Sequence, residues 1–420
     1  MLAKVKTSEV TAVVGLVAAT LVSVHLIASV NQADLQVFIR AGRSVLEGRS
    51  PYPKLGSGAV YAGNSFVYPY LVALAFAPLS LLGTYWGPFF FELISIASLF
   101  GAVLVFSSTL RSKWRDDLTA KLVLFALVLV ASPTLISLQM GTLTPLLLGG
   151  IAILWSNRDR SFIASFVVTA LAFTKVYLLV IGIFFILSQR YRAVFATAFF
   201  TALAVVANFM LSPLSPSGYY RLLSQLARHE STQGYSLINA LVSLNLSKAV
   251  SYAILGAIFI ATMGFWRRMP RIFRRDESTF LIAIALMLLA TPILWSSYLP
   301  LLFVPMVLIV SSVSFLAMLT YVASTMVTPD RAGVPFLLLQ FMAISILWLS
   351  SSSGIFTDIS LQRLLRKFVL ERMSLFLLLV VGFAAEVLVS AVGVQILITG
   401  VSIFVLREQQ ISIEDQSFAT

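Results

Sequence analysis

Long uncharged runs of apolar residues, separated by short polar segments, dominate this sequence. A run of roughly 18 such residues is long enough to cross the hydrocarbon core of a bilayer as a helix. The clearest runs are Val10–Val30, Pro88–Leu110, Leu122–Leu138, Ala193–Leu211, Ala249–Trp266, Phe280–Trp295, Leu299–Val322 and Pro335–Leu349. Shorter or interrupted runs are Tyr68–Leu82, Leu143–Trp155, Phe162–Leu187, which Lys175 interrupts, and Ser374–Leu406, which is long enough for two spans. The pattern predicts an all-α polytopic membrane protein with about 11–13 transmembrane helices.

Composition supports this class and excludes several others. Apolar residues make up 59% of the 420 positions, charged residues 11%, and the mean hydropathy is +0.96. A soluble domain carries about 25% charged residues, so an ordinary soluble enzyme is excluded. The chain has no cysteine and two histidines, which excludes disulfides, thiolate zinc sites and histidine-rich metal sites. The net charge of +12 is assigned to loops that flank the membrane.

The basic loops also predict the orientation, because Lys and Arg are enriched on the cytoplasmic side of membrane proteins. The strongest cluster is Trp266–Arg275, and Lys4 and Lys6 place the N-terminus on the same side. Residues 31–65 and 212–247 then face the extracytoplasmic side.

A simple count of crossings conflicts with this rule at two basic loops. It places Arg111–Lys121 and Asn157–Arg160 outside. If Tyr68–Leu82 and the region around Lys175 are re-entrant or broken helices, both loops return to the cytoplasmic side. Irregular backbone at membrane depth is tolerated where it lines a cavity, so the conflict predicts a polar cavity in the external half.

The first external loop contains a predicted amphipathic helix. Leu35, Phe38, Gly42, Val45 and Leu46 share one face, and the opposite face carries Gln36, Arg40, Arg43 and Glu47. Asp34 suits the N-cap, Gly48 suits the position just past the C-terminus, and Pro51 prevents further helix. Such a helix is expected to lie in the plane of the membrane interface. Taken alone, this pattern favours a capping role for Asp34.

Two motifs in and after this loop resemble glycosyltransferase family 87, a family of polytopic GT-C enzymes that includes polyprenyl-phosphate-mannose-dependent mannosyltransferases. The first motif runs from Asp34 through Val37, Phe38 and Gly48 to Pro51–Tyr52, and the second is Phe66–Pro69 followed by Ala77–Leu79. Further similarities occur at Gly141–Leu147, Ala172–Lys175, Ser236–Leu237 and Pro292–Trp295. Thr142 stands where the family usually has Gln, Val176 where it has Pro, and Ser296–Tyr298 where His is frequent. Any histidine-dependent role is therefore not expected here.

The resemblance implies a GT-C-like bundle with residues 1–334 as the catalytic module and residues 335–420 as C-terminal transmembrane helices. It also implies that Asp34 is the general base that takes the acceptor proton during sugar transfer with inversion. Capping and catalysis are compatible in one residue. Among other carboxylates, Glu230 in the second external loop is the remaining rival, whereas Asp276 lies with the cytoplasmic basic cluster.

Several residues are predicted to bind substrate. Lys175 is assigned to the donor phosphate, because a cation inside an apolar segment normally faces a cavity or a partner; a snorkelling or ion-paired Lys is the alternative. The other candidates are Arg40, Arg43, Tyr52, Tyr68, Arg228, His229 and Ser236. For the Arg and His residues, a solvated basic face near anionic lipid is an equal alternative. The external segments carry only scattered carboxylates, so no divalent metal and no cofactor is expected.

The function implied is transfer of a sugar, with mannose favoured over arabinose or glucose, from a polyprenyl-phosphate donor to a glycolipid or lipid-linked acceptor. The enzyme is expected in the cell membrane with its site on the extracytoplasmic side, and no nucleic-acid partner is expected. A transporter or lipid flippase is the leading alternative, because transporters also use broken helices at their sites. A membrane scaffold without catalytic activity is a second alternative.

Overall fold

The computed structural model describes residues 32–61, 65–108, 132–230, 236–243, 245–268, 275–298 and 300–305, with isolated positions between 121 and 129 and at 308. In these ranges the structure consists of α-helices and 3₁₀ helices joined by turns, and these ranges contain no strand. The α-helices are α1 (Ala33–Leu46), α2 (Tyr70–Leu81), α3 (Gly83–Ser107), α4 (Ser132–Met140), α5 (Thr144–Ser156), α6 (Ser161–Thr174), α7 (Ile183–Leu187), α8 (Tyr191–Leu211), α9 (Pro216–Glu230), α10 (Leu237–Ser243), α11 (Lys248–Arg268), α12 (Asp276–Ala290) and α13 (Pro300–Phe303). Short 3₁₀ helices cover Gly58–Tyr61, Val176–Gly182 and Ser296–Tyr298.

Three described helices are long and apolar enough to cross a membrane, namely α3, α8 and α11. Helices α4 and α5 together are apolar enough for a fourth span, but they are bent by 116° at the break between them. These findings confirm the predicted all-α membrane architecture. The predicted spans Val10–Val30, Pro335–Leu349 and Ser374–Leu406, and the C-terminal segment 335–420, lie outside the described residues. The predicted number of helices stays a prediction.

The apolar segment Phe162–Leu187 is broken at Lys175, as the sequence predicts. Helix α6 ends at Thr174, Lys175 is extended (φ −148°, ψ 110°), and a 3₁₀ helix follows. The helical segments before and after Lys175 form two arms. The start of the first arm lies beside the end of the second, because Arg190 Nη2, which follows the second arm, donates to Asp159 Oδ1, which precedes the first arm, at 2.7 Å. Residues 161–187 therefore form a helical hairpin with Lys175 at its tip.

The base of this hairpin lies against the start of α12. Arg190 binds both carboxylate oxygens of Asp276, at 2.9 and 2.8 Å, and Arg158 Nε approaches Asp276 Oδ2 at 3.2 Å. The loop Asn157–Arg160 is thus on the same side as the residue that directly follows the basic cluster Trp266–Arg275. The predicted break at Lys175 is confirmed, and the cytoplasmic placement of this loop stays a prediction.

The opposite end of the bundle lies about 20 Å away. Helices α5, α6 and α12 have 13, 14 and 15 residues, which corresponds to roughly 20–22 Å each. At that end Ser137 Oγ of α4 donates to the Ser297 carbonyl at 2.9 Å, beyond the end of α12. The two ends of the bundle therefore differ chemically, since one carries the ion-pair cluster and the other carries the loops between helices.

The two predicted external loops meet at this second end. The amide of Gly56 donates to Gln225 Oε1 at 3.4 Å, and the Tyr219 hydroxyl donates to the Val67 carbonyl at 3.1 Å. Asn208, near the end of α8, accepts from the amide of Leu71 at 3.2 Å. The predicted placement of both loops on one side of the bundle is thereby confirmed.

Candidate functional site

Helix α1 is fixed by its own end and by close packing on α2. Its C-terminus has the predicted glycine, with Gly48 at φ +67° donating to the Val45 carbonyl and Arg49 donating to the Ser44 carbonyl. A Cβ at Gly42 would lie 2.7 Å from the backbone of Phe76, so α1 and α2 approach each other as only glycine allows. Phe38 stacks on Phe76 with ring centroids 4.8 Å apart.

Asp34 is not the N-cap of α1, and that part of the sequence interpretation is wrong. The helix begins at Ala33, Gln32 occupies the N-cap position without a capping side-chain hydrogen bond, and Asp34 lies in the first turn. Its carboxylate accepts no hydrogen bond from the described residues. One turn later, on the same face, is Phe38, which is 1% exposed. Asp34 therefore projects from the buried face of α1, away from Arg43 and Glu47.

Lys175 is the buried cation whose charge acts on the Asp34 carboxylate. Only 9% of its surface is exposed, and its Nζ lies 3.6 Å from the ring centroid of Tyr298. Its side chain donates no hydrogen bond within the described part of the chain. The cation–π contact stabilises the ammonium but leaves N–H donors that point away from the ring available, as a site for an anion requires.

Asp34 and Lys175 interact through space without forming an ion pair. No nitrogen–oxygen distance between them is within 4.0 Å, yet each alters the ionisation of the other. Burial raises the pKa of Asp34, which lies outside the membrane-spanning helices, and the charge of Lys175 partly offsets this effect. A carboxylate with a raised pKa is a better proton acceptor than a solvated one.

Aromatic rings lie near both of these charged residues. Tyr68 packs on Phe38 at 4.7 Å, and Tyr177 packs on Tyr298 at 5.9 Å. Tyr68 and Tyr177 are close enough to interact electrostatically. Of the predicted substrate-binding residues, the structure thus brings Lys175 and Tyr68 into the neighbourhood of Asp34. A few polar groups among apolar and aromatic side chains are typical of a ligand site.

Arg40 and Arg43 are on the exposed face of α1. Arg40 Nε donates to the Gln36 carbonyl at 3.1 Å, and Arg43 forms an exposed ion pair with Glu47 at 3.2 Å. Arg49 also binds Glu47. Within the described residues these arginines form no hydrogen bond or ion pair with Asp34 or Lys175.

Tyr52 links the two external loops. It is 8% exposed and packs on Phe66 at 5.6 Å and on Tyr219 at 6.0 Å. Burial raises the pKa of Tyr52 to about 12, although the hydroxyl of Ser212 acts in the opposite direction. Its hydroxyl is therefore neutral at physiological pH, and the ring has a clear packing role.

The remaining predicted residues lie in the second external loop. Arg228, His229 and Glu230 are at the end of α9, where the structure describes the backbone only. Ser236 is 1% exposed, and its Oγ accepts from the amide of Asn239 at 3.2 Å, which is the geometry of an N-cap for α10. Asp276 forms ion pairs with two arginines at the opposite end of the bundle. This location agrees with its exclusion as the general base.

Several buried polar residues near Asp34 were not among the candidates. Gln32 Nε2 donates to Glu92 Oε1 at 2.9 Å, and both residues are 8% exposed. The sequence identifies Tyr298 only as part of a segment that stands where the family frequently has histidine. Glu92 could have been found by its position as a carboxylate inside an apolar helix. No group of three His, Asp or Glu residues converges in the described ranges, and the expectation of metal independence stays a prediction.

Comparisons with known proteins give one family and one solved structure. The profile described as "Glycosyltransferase family 87" matches residues 66–292, slightly more than half of the chain. No curated protein sequence matches the chain. The structure of ArnT from Cupriavidus metallidurans bound to undecaprenyl phosphate is similar at a TM-score of 0.41 and 14% identity, covering 95% of this chain and 77% of that one.

The family match includes Tyr68, Lys175 and Glu92, whereas α1 with Asp34 precedes it. The role of Asp34 therefore depends on the geometry and on the first motif. The extent of the match, together with the helical membrane architecture, establishes that this chain is a glycosyltransferase and belongs to glycosyltransferase family 87.

Proposed function

We propose that the protein transfers mannose from a polyprenyl-phosphate donor to a hydroxyl of a lipid-linked or glycolipid acceptor, with inversion at the anomeric carbon. The observation that carries this proposal is that Asp34 and Lys175 interact electrostatically but form no ion pair. The Asp34 carboxylate is half-buried, and the Lys175 ammonium is buried. Direct displacement needs one base for the acceptor and one cation for the departing phosphate.

In this mechanism the acceptor oxygen attacks the anomeric carbon as the bond from that carbon to the phosphate oxygen breaks. The Asp34 carboxylate takes the proton of the acceptor hydroxyl. The lipid phosphate leaves with the bonding electrons as an anion, so no acid has to protonate it. Lys175, which donates to no described group, stabilises that anion through its N–H donors.

The surroundings of the couple are consistent with a lipid donor. The site lies at one end of a bundle that includes helices long enough to cross a membrane, so an isoprenoid tail can remain in hydrocarbon while its phosphate reaches Lys175. The ion-pair cluster of Arg158, Arg190 and Asp276 is at the other end. Since basic loops favour the cytoplasm, the proposed site opens on the extracytoplasmic side.

A transfer assay tests the proposal. The full chain in liposomes receives polyprenyl-phosphate donors carrying labelled mannose, arabinose or glucose, together with a panel of glycolipid and lipid-linked acceptors. We expect label to move from the mannose donor to an acceptor, an inverted anomeric configuration by NMR, and loss of transfer in Asp34→Asn. Transfer that persists in Asp34→Asn would contradict the role of Asp34, and preferential use of arabinose or glucose would contradict the assignment of mannose.

A further inference from the structure

Gln32 and Glu92 form a buried polar pair directly behind the first turn of α1. Gln32 is the N-cap residue of that helix, and Glu92 belongs to the membrane-spanning helix α3. Gln32 Nε2 donates to Glu92 Oε1 at 2.9 Å, and each residue is 8% exposed. The contact joins the helix that carries Asp34 to a long element of the bundle.

Two oxygens of this same pair are buried without a hydrogen bond in the described structure, Gln32 Oε1 and Glu92 Oε2. Buried polar atoms without partners are rare, because leaving one unpaired costs free energy. An ionised Glu92 cannot resolve the problem, since a carboxylate only accepts hydrogen bonds. A protonated Glu92 has an O–H group, which can donate to the amide oxygen of Gln32.

We propose that Glu92 is a neutral carboxylic acid that forms a cyclic pair with the Gln32 amide, and that this pair positions Asp34. In the pair the amide N–H donates to the acid carbonyl and the acid O–H donates to the amide oxygen. A single proton on Glu92 Oε2 therefore gives a hydrogen bond to both oxygens that lack one, Glu92 Oε2 as donor and Gln32 Oε1 as acceptor. The activity test of this inference rests on the proposed function, whereas the protonation state of Glu92 can be measured without any transfer activity.

The other side of Gln32 is held just as closely. A Cβ at Gly141, in the sharp bend between α4 and α5, would lie 3.3 Å from Gln32 Cβ and 2.5 Å from Leu35 Cβ. The first turn of α1 is therefore enclosed between Gly141 and Glu92. Asp34 is on this turn, so the direction of its carboxylate depends on both contacts. Gln32 and Glu92 are positioning residues, since neither is assigned a contact with substrate.

Substitutions that keep or remove the pair separate this role from others. Glu92→Gln presents an amide that makes the same two hydrogen bonds with Gln32, so near-parental kcat is expected. Glu92→Leu removes both bonds, and a displaced base lowers kcat by about 10- to 100-fold with little change in KM for the donor. The exchanged pair Gln32→Glu with Glu92→Gln restores kcat. Glu277→Gln, the same chemical change at the other end of the bundle, serves as the matched control.

Infrared spectroscopy of the full chain in liposomes at neutral pH tests the proton directly. The parent minus Glu92→Gln difference spectrum should contain the carbonyl band of a protonated carboxylic acid that shifts in deuterated water. The proposal is overturned if that band is absent, if folded Glu92→Gln is inactive, or if Glu92→Leu retains the parental kcat. If no donor supports transfer in the parent, the proposed function fails, whereas the infrared result still decides the state of Glu92.

Discussion

Asp34 and Lys175 lie at the same end of the helix bundle, influence each other electrostatically and yet form no ion pair. A buried ammonium that served only structure would be expected to pair directly with the neighbouring carboxylate, because an unpaired buried charge is costly. Within the described residues, neither side chain forms a hydrogen bond with a protein group, so both remain available to a substrate. This relationship gives each residue a distinct and testable role.

Replacement of Asp34 by Asn tests the base. Because the carboxylate is not a helix cap, neither Asp34→Asn nor Asp34→Ala should lose capping energy. Burial raises the pKa of Asp34, so ionisation opposes folding above the unfolded pKa, and removal of the charge should leave stability unchanged or slightly higher at neutral pH. The rate of transfer should fall by about 10²–10⁴-fold in both variants.

The measurement combines kinetics at saturating donor with thermal unfolding. It is made on the parent, on both Asp34 variants and on the control Glu47→Gln. Retention of more than about a tenth of the parental rate would remove Asp34 from the mechanism and make Glu230 the next candidate.

Replacement of Lys175 by Met tests donor binding. A hydrogen bond to a charged group contributes about 1.5–3 kcal/mol, which corresponds to roughly 10- to 100-fold weaker binding of the donor phosphate when it is lost. Since Lys175 has no ion pair, Lys175→Met should not destabilise the fold. Donor binding and thermal unfolding are measured together, with Tyr298→Phe as a control that keeps the aromatic ring beneath the ammonium. A large loss of stability with unchanged donor affinity would indicate a structural lysine.

The pH dependence of kcat/KM links the two residues. A general base acts when it is deprotonated, so activity falls as the pH drops through the pKa of Asp34. Burial raises that pKa and Lys175 lowers it; the acidic limb should therefore lie above that of an ordinary aspartate, and Lys175→Met should move it higher still. Profiles of the parent and of Lys175→Met over the acidic range measure the shift. A limb that moved to lower pH in Lys175→Met would contradict the assigned interaction.

Local sequence signals predict the end of α1 but not its beginning. Gly48 and Pro51 act within a few residues of the helix end, and the observed left-handed Gly48 confirms that prediction. At the other end, the carboxylate of Asp34 does not cap the helix, and the residue at the cap, Gln32, is held by Glu92 from another helix. A contact between residues so distant in sequence is not visible from turn and cap preferences.

The break at Lys175 is also predicted from sequence, because a charge inside an apolar run and a conflict between basic loops indicate it independently. Its proximity to Tyr298 is not predictable in the same way. That contact depends on α6 and α12 leaving the ion-pair cluster with similar lengths, so that both end at the same level. Asp34 was identified by a motif, and only the fold shows that it lies on the buried face.

Gly141 tests the enclosure of the first turn of α1. Gly141 has φ +66°, which side chains rarely adopt, and an added Cβ would lie 2.5 Å from Leu35 Cβ. Gly141→Ala should therefore displace Asp34 and lower kcat by about 100-fold while reducing stability. Gly58→Ala, where an added Cβ meets nothing within 4 Å, is the control. Transfer assays and unfolding midpoints of both variants decide the matter, and equal behaviour of the two would show that the bend is tolerant.

Asp276 tests whether the opposite end of the bundle acts as a structural anchor. Burial alone would raise its pKa, but hydrogen bonds from Arg190 and Arg158 outweigh burial and lower it. The carboxylate therefore contributes stability above its unfolded pKa, and this contribution is lost as the pH falls through the lower folded pKa. Asp276→Asn should reduce stability by about 1–2 kcal/mol, a value discounted because the pair is partly exposed. The loss should diminish at acidic pH, and donor affinity should stay parental, because the site is about 20 Å away. Thermal unfolding over a pH series, with Glu277→Gln as the neighbouring control, measures the effect; an Asp276→Asn protein that is fully stable but inactive would instead assign Asp276 to catalysis.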